Sequence, residues 1–348
     1  MRKFRVESIA NRVRDEIWAL KPEGRELAIN ALRDVLYEGS FVNAVGEPEN
    51  PEACVRCGSV HIRRKGHGRY GFQRWLCVDC NCTFNARTSR VVASSKLKPA
   101  VWMRFIECFV DCLSLRTCAA RCNVCLKTAF FMRRRLIECI RGYSPVFHAE
   151  SGTEVQLDET YHRESFKGNH TRSTTFRMPR KSHHRGTPAS KRGLSKEQIC
   201  VMTGVDDAIG AFLTLSGRGM LSVERAIESL GSRLARGVHA VTDKATAYTH
   251  AMPKLGVTLT QTDAKSHAIN RVNTLHSNLE AFMDGFRGVS TKHLQSYLDW
   301  FEWRRTFLTE SLDDDGKLIA RQLNNGLYRS RRTSYINLRS PYLDYWGM

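Results

Sequence analysis

With 348 residues, 42% of them hydrophobic, the chain has material for two or three domains with sizeable cores and is not a disordered polymer. Its formal net charge of +19 calls for a polyanionic partner, and nucleic acid is the commonest one for a large basic chain. No stretch reaches the roughly 18 apolar residues of a membrane span, and the charged start (M-R-K-F-R) lacks a signal peptide's apolar core. A cytoplasmic, nucleoid-associated protein is expected. In that reducing compartment twelve cysteines serve as metal ligands or small buried groups rather than disulfides.

Residues 1–48 read as an N-terminal helical region. Ile9, Val13, Ile17 and Leu20, then Leu27, Ile29, Leu32 and Leu36, recur at helical spacing, and Pro22-Glu23-Gly24 divides them into a hairpin suited to packing or dimerisation. The turn-rich Gly46–Pro51 leads into a region at 50–92 that carries Cys54 and Cys57, then nineteen residues, then Cys77 and Cys80. Two C-x-x-C pairs at this separation are the pattern of a zinc ribbon: each pair brings two sulfurs to one tetrahedral Zn2+, and the segment between forms a hairpin. With all four positions filled, the ion is structural. Between the pairs, Arg63, Arg64, Lys65, His67, Arg69 and Arg74 interleave with Tyr70, Phe72 and Trp75. Cations and aromatics on a rigid hairpin suit phosphate contact and base packing, so Arg63, Arg64, Lys65 and Arg74 are candidate DNA ligands; a solvated face is the alternative.

Region 97–145 is all-helical. One helix opens at Pro99 and Trp102; a short helix at 115–121, a turn around Asn123 and a longer helix at 126–140 have the layout of a helix-turn-helix, with Lys127, Arg133, Arg134 and Arg135 on the recognition helix. The spacing of Cys118, Cys122, Cys125 and Cys139 allows a second metal site, but small side chains buried in tight helix packing is the favoured reading.

Thr153–Tyr161 (T-E-V-Q-L-D-E-T-Y) alternates as a strand, with Val155 and Leu157 on one face, and carries the carboxylates Asp158 and Glu159. A basic loop at 161–198 follows, including Lys181, Lys191 and Arg192; few large aliphatics interrupt it, so it is expected to be mobile and to order on a phosphate backbone. Strands are predicted at 199–205, 211–215, 238–242 and 257–260, with helices at 222–234 and from 273 to about 308. Three antiparallel strands and then helix-linked parallel ones is the order of a ribonuclease H-like domain (150–310) with a mixed five-stranded sheet, in which the first and fourth strands are neighbours. That adjacency brings Asp158 beside Asp243. Residues 311–348 form a C-terminal tail, and the whole chain is a multidomain α+β protein.

Two carboxylates at adjacent strand ends bind Mg2+ or Mn2+ through hard oxygens, and two such ions can clamp the attacking and leaving oxygens of a phosphodiester. The third ligand is expected on the last long helix, where Asn273, His276 and Glu280 share one face. Glu159 is set aside because strand neighbours face opposite ways. For Lys244, Tyr248, Arg304 and Arg305, DNA contact competes with a solvated face or a core contact.

Five segments resemble bacterial insertion-sequence transposases of the ISXO-like group: L-D-E-T-Y (Leu157–Tyr161), K-R-G-L-S-K-E-Q (Lys191–Gln198), T-D-K-A-T-A-Y (Thr242–Tyr248), V-N-T-L-H-S (Val272–Ser277) and G-V-S-T-K-H-L-Q-S-Y-L (Gly288–Leu298). The resemblance implies a DDE-type transposase. Such an enzyme binds the terminal inverted repeats of double-stranded DNA, cuts and joins strands with Mg2+ or Mn2+, and works as a homodimer or larger assembly. Carried over, Asp158 and Asp243 take the two aspartate positions, and His276 stands where many members have Glu, with Asn273 one turn earlier. The order of preference for the third ligand is His276, Asn273, Glu280. Imidazole suits manganese better than magnesium. A non-catalytic or decayed DNA-binding protein, or a ribonuclease or junction nuclease on the same sheet, are the competing readings.

Overall fold

The computed structural model describes residues 2–29, 31–32, 51–68, 73–85, 88, 90–91, 93–169, 177–182, 196–263, 268–307, 322, 328 and 330–347. Helix α1 (Arg2–Ala19) and a helical stretch at 22–29 lie in the region read as an N-terminal helical pair; Leu36 and the turn from Gly46 lie outside the described residues. Strands β1 (Ile62–His67), β2 (Gln73–Cys77) and β3 (Thr83–Phe84) make a small antiparallel sheet in which Ile62 faces Cys77 and Arg64 faces Trp75.

Helices α2 (Pro99–Val110), α3 (Leu115–Arg121) and α4 (Leu126–Arg141) follow. Pro99 opens α2 where a missing N–H costs nothing. Ser114 Oγ accepts the Thr117 N–H at 3.2 Å and caps α3. Asn123, left-handed at φ 48°, turns the chain into α4.

The large sheet holds β4 (Glu154–Arg163), β5 (Gln198–Asp206), β6 (Ala211–Arg218), β7 (His239–Thr242) and β8 (Thr258–Gln261), in the order β6-β5-β4-β7-β8. Strands β4, β5 and β6 pair antiparallel, whereas β7 and β8 run parallel to β4. The expected neighbours, first strand and fourth, lie side by side. Helices α5 (Val223–Leu230) and α6 (Thr246–Leu255) connect β6 to β7 and β7 to β8, and α7 (Asn270–Asp284) and α8 (Leu294–Phe307) follow the sheet.

Each face of the sheet has its own core. Val155, Leu157, Met202 and Phe212 pack against Leu230, Tyr248 and Met252 of α5 and α6. On the other face Val201, Val205, Leu213 and Val241 pack against Val272, Leu275, Leu298 and Trp300, and this core continues into Trp102, Phe109, Met132 and Leu136 of α2 and α4. Phe109 stacks on Trp300 at 4.1 Å and 6°. The helices at 99–141 therefore share a core with the sheet.

That enclosure corrects one expectation. Arg133, Arg134 and Arg135 are not a solvent-facing recognition surface; all three are buried. Arg133 donates to the Leu113 carbonyl and to Cys118 Sγ (3.3 Å) and Tyr297 Oη (3.4 Å). Arg134 donates to Ser296 Oγ at 3.1 Å, and Arg135 to the carbonyls of Val91 (2.7 Å) and Ala93 (2.9 Å). Their guanidiniums lie over Trp300 (5.3 Å), Tyr335 (5.0 Å) and Tyr328 (4.0 Å), a cation–π setting that offsets part of the desolvation cost. The basic loop also starts later than expected. β4 runs to Arg163, Phe166 is fully buried, and Arg180 is anchored to the Glu164 carbonyl at 2.9 Å.

Candidate active site and metal centres

The two cysteine pairs converge. Sγ atoms of Cys54, Cys57, Cys77 and Cys80 all lie within 4.8 Å of one another, and Cys54–Cys80 and Cys57–Cys77 are each 3.6 Å apart. One tetrahedral ion with Zn–S bonds of about 2.3 Å requires sulfur separations close to these. The knuckles are built alike: the residue after each second cysteine, Gly58 (φ 77°) and Asn81 (φ 54°), is left-handed, which glycine and asparagine tolerate best. This cluster of four can hold a structural metal. Beside it Arg63, Arg64, Lys65 and Arg74 are exposed, with Arg64 5.9 Å from the Trp75 ring centroid; Arg69, Tyr70 and Phe72 lie outside the described residues. Cys118, Cys122 and Cys139 are buried in the helical core and Cys125 is exposed; among the described residues, the four ribbon cysteines are the one such metal-ligand cluster.

The second site lies where β4 and β7 meet under α7. Asp158 sits on β4 directly opposite Thr203 of β5. Asp243 follows β7, where its Oδ1 accepts the Ala245 N–H at 3.0 Å and so shapes the turn into α6. His276 reaches down from α7, with Nδ1 3.7 Å from Asp158 Oδ2 and Nε2 2.7 Å from Thr203 Oγ1. Burial, with the charge of Asp243 added, pushes the Asp158 carboxyl up to about 6. Burial, with His162 nearby, pushes His276 down to about 4. The neutral imidazole and crowded carboxylates form a donor set that fits a divalent cation: ligand bonds of about 2.1 Å can bridge the Asp158–His276 gap, and a cation relieves the repulsion between the aspartates. The three residues do not converge as tightly as the cysteines, for Asp158, Asp243 and His276 are no group with all ligand atoms within 4.8 Å.

Asn273 and Glu280 are exposed on α7, while His276 is half-buried against the sheet. Glu159 is on the other face of β4, beside the fully buried Tyr248, and burial pushes its carboxyl up to about 7. Tyr248, in contact with Met202 Sδ at 3.6 Å, is a core residue and no DNA contact. Lys244 pairs with Asp263 at 2.5 Å and Arg305 with Glu302 at 2.9 Å, and Arg304 is exposed. Lys127, in the first turn of α4, and Lys181 are exposed; Lys191 and Arg192 lie outside the described residues.

Three site residues escaped the sequence reading. Gln156, two residues before Asp158 and on the same face, accepts the Arg271 N–H (2.8 Å) and donates to the Ala268 carbonyl (2.8 Å), holding the start of α7 over the site. Lys167 donates to the Phe286, Arg287 and Gly288 carbonyls at 2.8–3.2 Å and ties down the turn that follows that helix. His162, on the Asp158 face, keeps a buried Nε2 without a hydrogen-bond partner. Period-two alternation could have flagged Gln156 and His162; Lys167 carried no local signal.

No family model matches the chain. It is 26% identical over 278 residues to the uncharacterized protein in transposable element ISH50 of Halobacterium salinarum, across 72% of this chain and 84% of that protein. Two solved structures share 66% of the chain: the simian T-cell lymphotropic virus intasome in complex with PP2A regulatory subunit B56 gamma (12% identity, 78% of that chain, TM-score 0.28) and a pre-cleavage Mos1 transpososome (13% identity, 79% of that chain, TM-score 0.26). Superpositions this poor carry no weight for fold or chemistry. Among the described residues no helix is long and apolar enough to cross a membrane.

Proposed function

We propose that the chain is a DDE-type transposase of the ISXO-like group, which binds the terminal inverted repeats of an insertion sequence and catalyses metal-dependent strand cleavage and strand transfer on a ribonuclease H-like sheet. The observation that carries the reading is the β4–β7 adjacency, which sets Asp158, in the middle of β4 rather than at its end, beside the end of β7 that leads into Asp243, with His276 3.7 Å from Asp158. The relative in a transposable element supports it, as do the exposed cations beside the cysteine cluster. Asp158, Asp243 and His276 are the residues to hold Mg2+ or Mn2+, which when bound supplies Lewis acidity and orients the scissile phosphate. Asn273 and Glu280 remain the lesser candidates for the third position. Zn2+ in the cysteine cluster holds the basic hairpin rigid, and Arg63, Arg64, Lys65, Arg74, Lys127 and Lys181, with Lys191 and Arg192, contribute phosphate contacts. Two ends handled together make a dimer or larger assembly on DNA.

The test is cleavage of DNA from the flanks of this gene with each metal in turn. Asp158→Ala and Asp243→Ala are each expected to abolish cutting while end binding persists. Wild-type-like cutting by either variant sinks the assignment. End binding without cutting by the wild-type chain in both metals turns the protein into a DNA-binding regulator.

A further inference from the structure

Thr203 lies in the middle of β5, opposite Asp158, and is fully buried. Its hydroxyl has one hydrogen and two polar neighbours: the Asp158 carbonyl oxygen at 2.8 Å and His276 Nε2 at 2.7 Å. A carbonyl oxygen only accepts, so the hydrogen is committed to Asp158. Toward His276 the oxygen therefore offers a lone pair. Two lone pairs at 2.7 Å repel, which requires the imidazole proton to sit on Nε2. Nδ1 is the atom 3.7 Å from Asp158 Oδ2, and that gap is too long for a shared proton. The unprotonated imidazole nitrogen thus faces the Asp158 carboxylate.

We propose that Thr203 is the positioning residue of this metal centre: its hydroxyl fixes His276 in the Nε2–H tautomer and so aims Nδ1 at a divalent cation shared with Asp158, of a kind that accepts nitrogen, such as Mn2+. The inference rests on the reading of Asp158, Asp243 and His276 as one metal centre. Neither Asn273 nor Glu280, exposed on α7, has a comparable orienting partner among the described residues, which places the choice of third ligand on His276.

The test uses the full-length protein and Mn2+ alone, titrated by electron paramagnetic resonance of the free ion, with the His276 tautomer read in metal-free protein from imidazole nitrogen-15 shifts. Thr203→Val keeps the shape and removes the hydroxyl; Thr203→Ser keeps the hydroxyl. The expectation is Nε2–H in the wild type, near-wild-type binding for Thr203→Ser, and Mn2+ affinity lower by about 10–100-fold for Thr203→Val. A carboxylate has no tautomer, so Thr203→Val made in a His276→Glu background is expected to change affinity little. An Nδ1–H wild type, wild-type binding by Thr203→Val, or an equal loss in both backgrounds overturns the proposal. If Asp158→Ala leaves Mn2+ binding intact, the metal centre itself fails and its ligand geometry with it, whereas the tautomer measurement still reports on Thr203 alone.

Discussion

Two runs of three consecutive cations, Arg63–Lys65 on β1 and Arg133–Arg135 on α4, have opposite fates. The first is exposed, on a small sheet whose core is little more than the cysteines, Leu76 and Phe84. The second is enclosed on every side, each guanidinium donating to carbonyls or hydroxyls and lying over aromatic rings. A cation run in a sequence therefore reports charge, not solvation. Consecutive helix residues point about 100° apart, so three in a row cannot line one DNA groove; residues spaced three and four apart can.

The contrast breaks most directly at Arg133. Arg133→Ala leaves the Leu113 carbonyl and Tyr297 hydroxyl short of a donor and opens a cavity beside Trp300, so a loss of about 3 kcal/mol is expected in denaturant unfolding. Unchanged stability with weakened DNA binding would return that arginine to the DNA-facing set.

A smaller effect is expected from His293, which packs against Phe130 at 5.6 Å and is buried near Arg134 and Lys292. Burial and those two cations push it down to about 3 from an ordinary value of 6.5. Below pH 6.5 the unfolded chain takes up a proton that the folded chain refuses. Stability from this residue is thus complete above pH 6.5 and is lost as pH falls toward 3, by about 2 kcal/mol at pH 5. His293→Asn should flatten the difference in unfolding free energy between pH 7 and pH 5, whatever its own stability; an unchanged difference would show that the imidazole takes its proton in place.

The least effect on folding is expected from the exposed run. Replacing Arg63, Arg64 and Lys65 together by Ala should change unfolding free energy by no more than about 0.5 kcal/mol per site, while the slope of log affinity for DNA against log salt becomes shallower by about 2–3. An unaltered slope would make this a solvated face with no phosphate contacts.

The large sheet was legible because its information is local: β5 is a continuous apolar run, β4 alternates, and helix-linked strands must cross over in parallel, which places the fourth strand beside the first. The convergence of four cysteines was legible for the same reason, since C-x-x-C geometry is set within four residues. The site's supports were less so. Gln156 looks like any polar strand residue, and Lys167 like any cation of a basic segment, until α7 is seen between them. Thr203 sits in an apolar run where its hydroxyl has meaning only through the register that places it opposite Asp158.

What the sequence by itself determined is the element order, the cysteine knuckles and the adjacency of two aspartate-bearing strands, all consequences of short-range periodicity and chain crossover. What only the tertiary structure decided is which polar groups lose water. Arg133, Arg134 and Arg135 went inside because α2, α8 and the chain near Val91 close around α4, and Thr203, Asp158 and His276 met because α7 lies across the sheet. Burial is a property of what surrounds a residue, and the surroundings come from as far as 164 residues away, as with Arg133 and Tyr297.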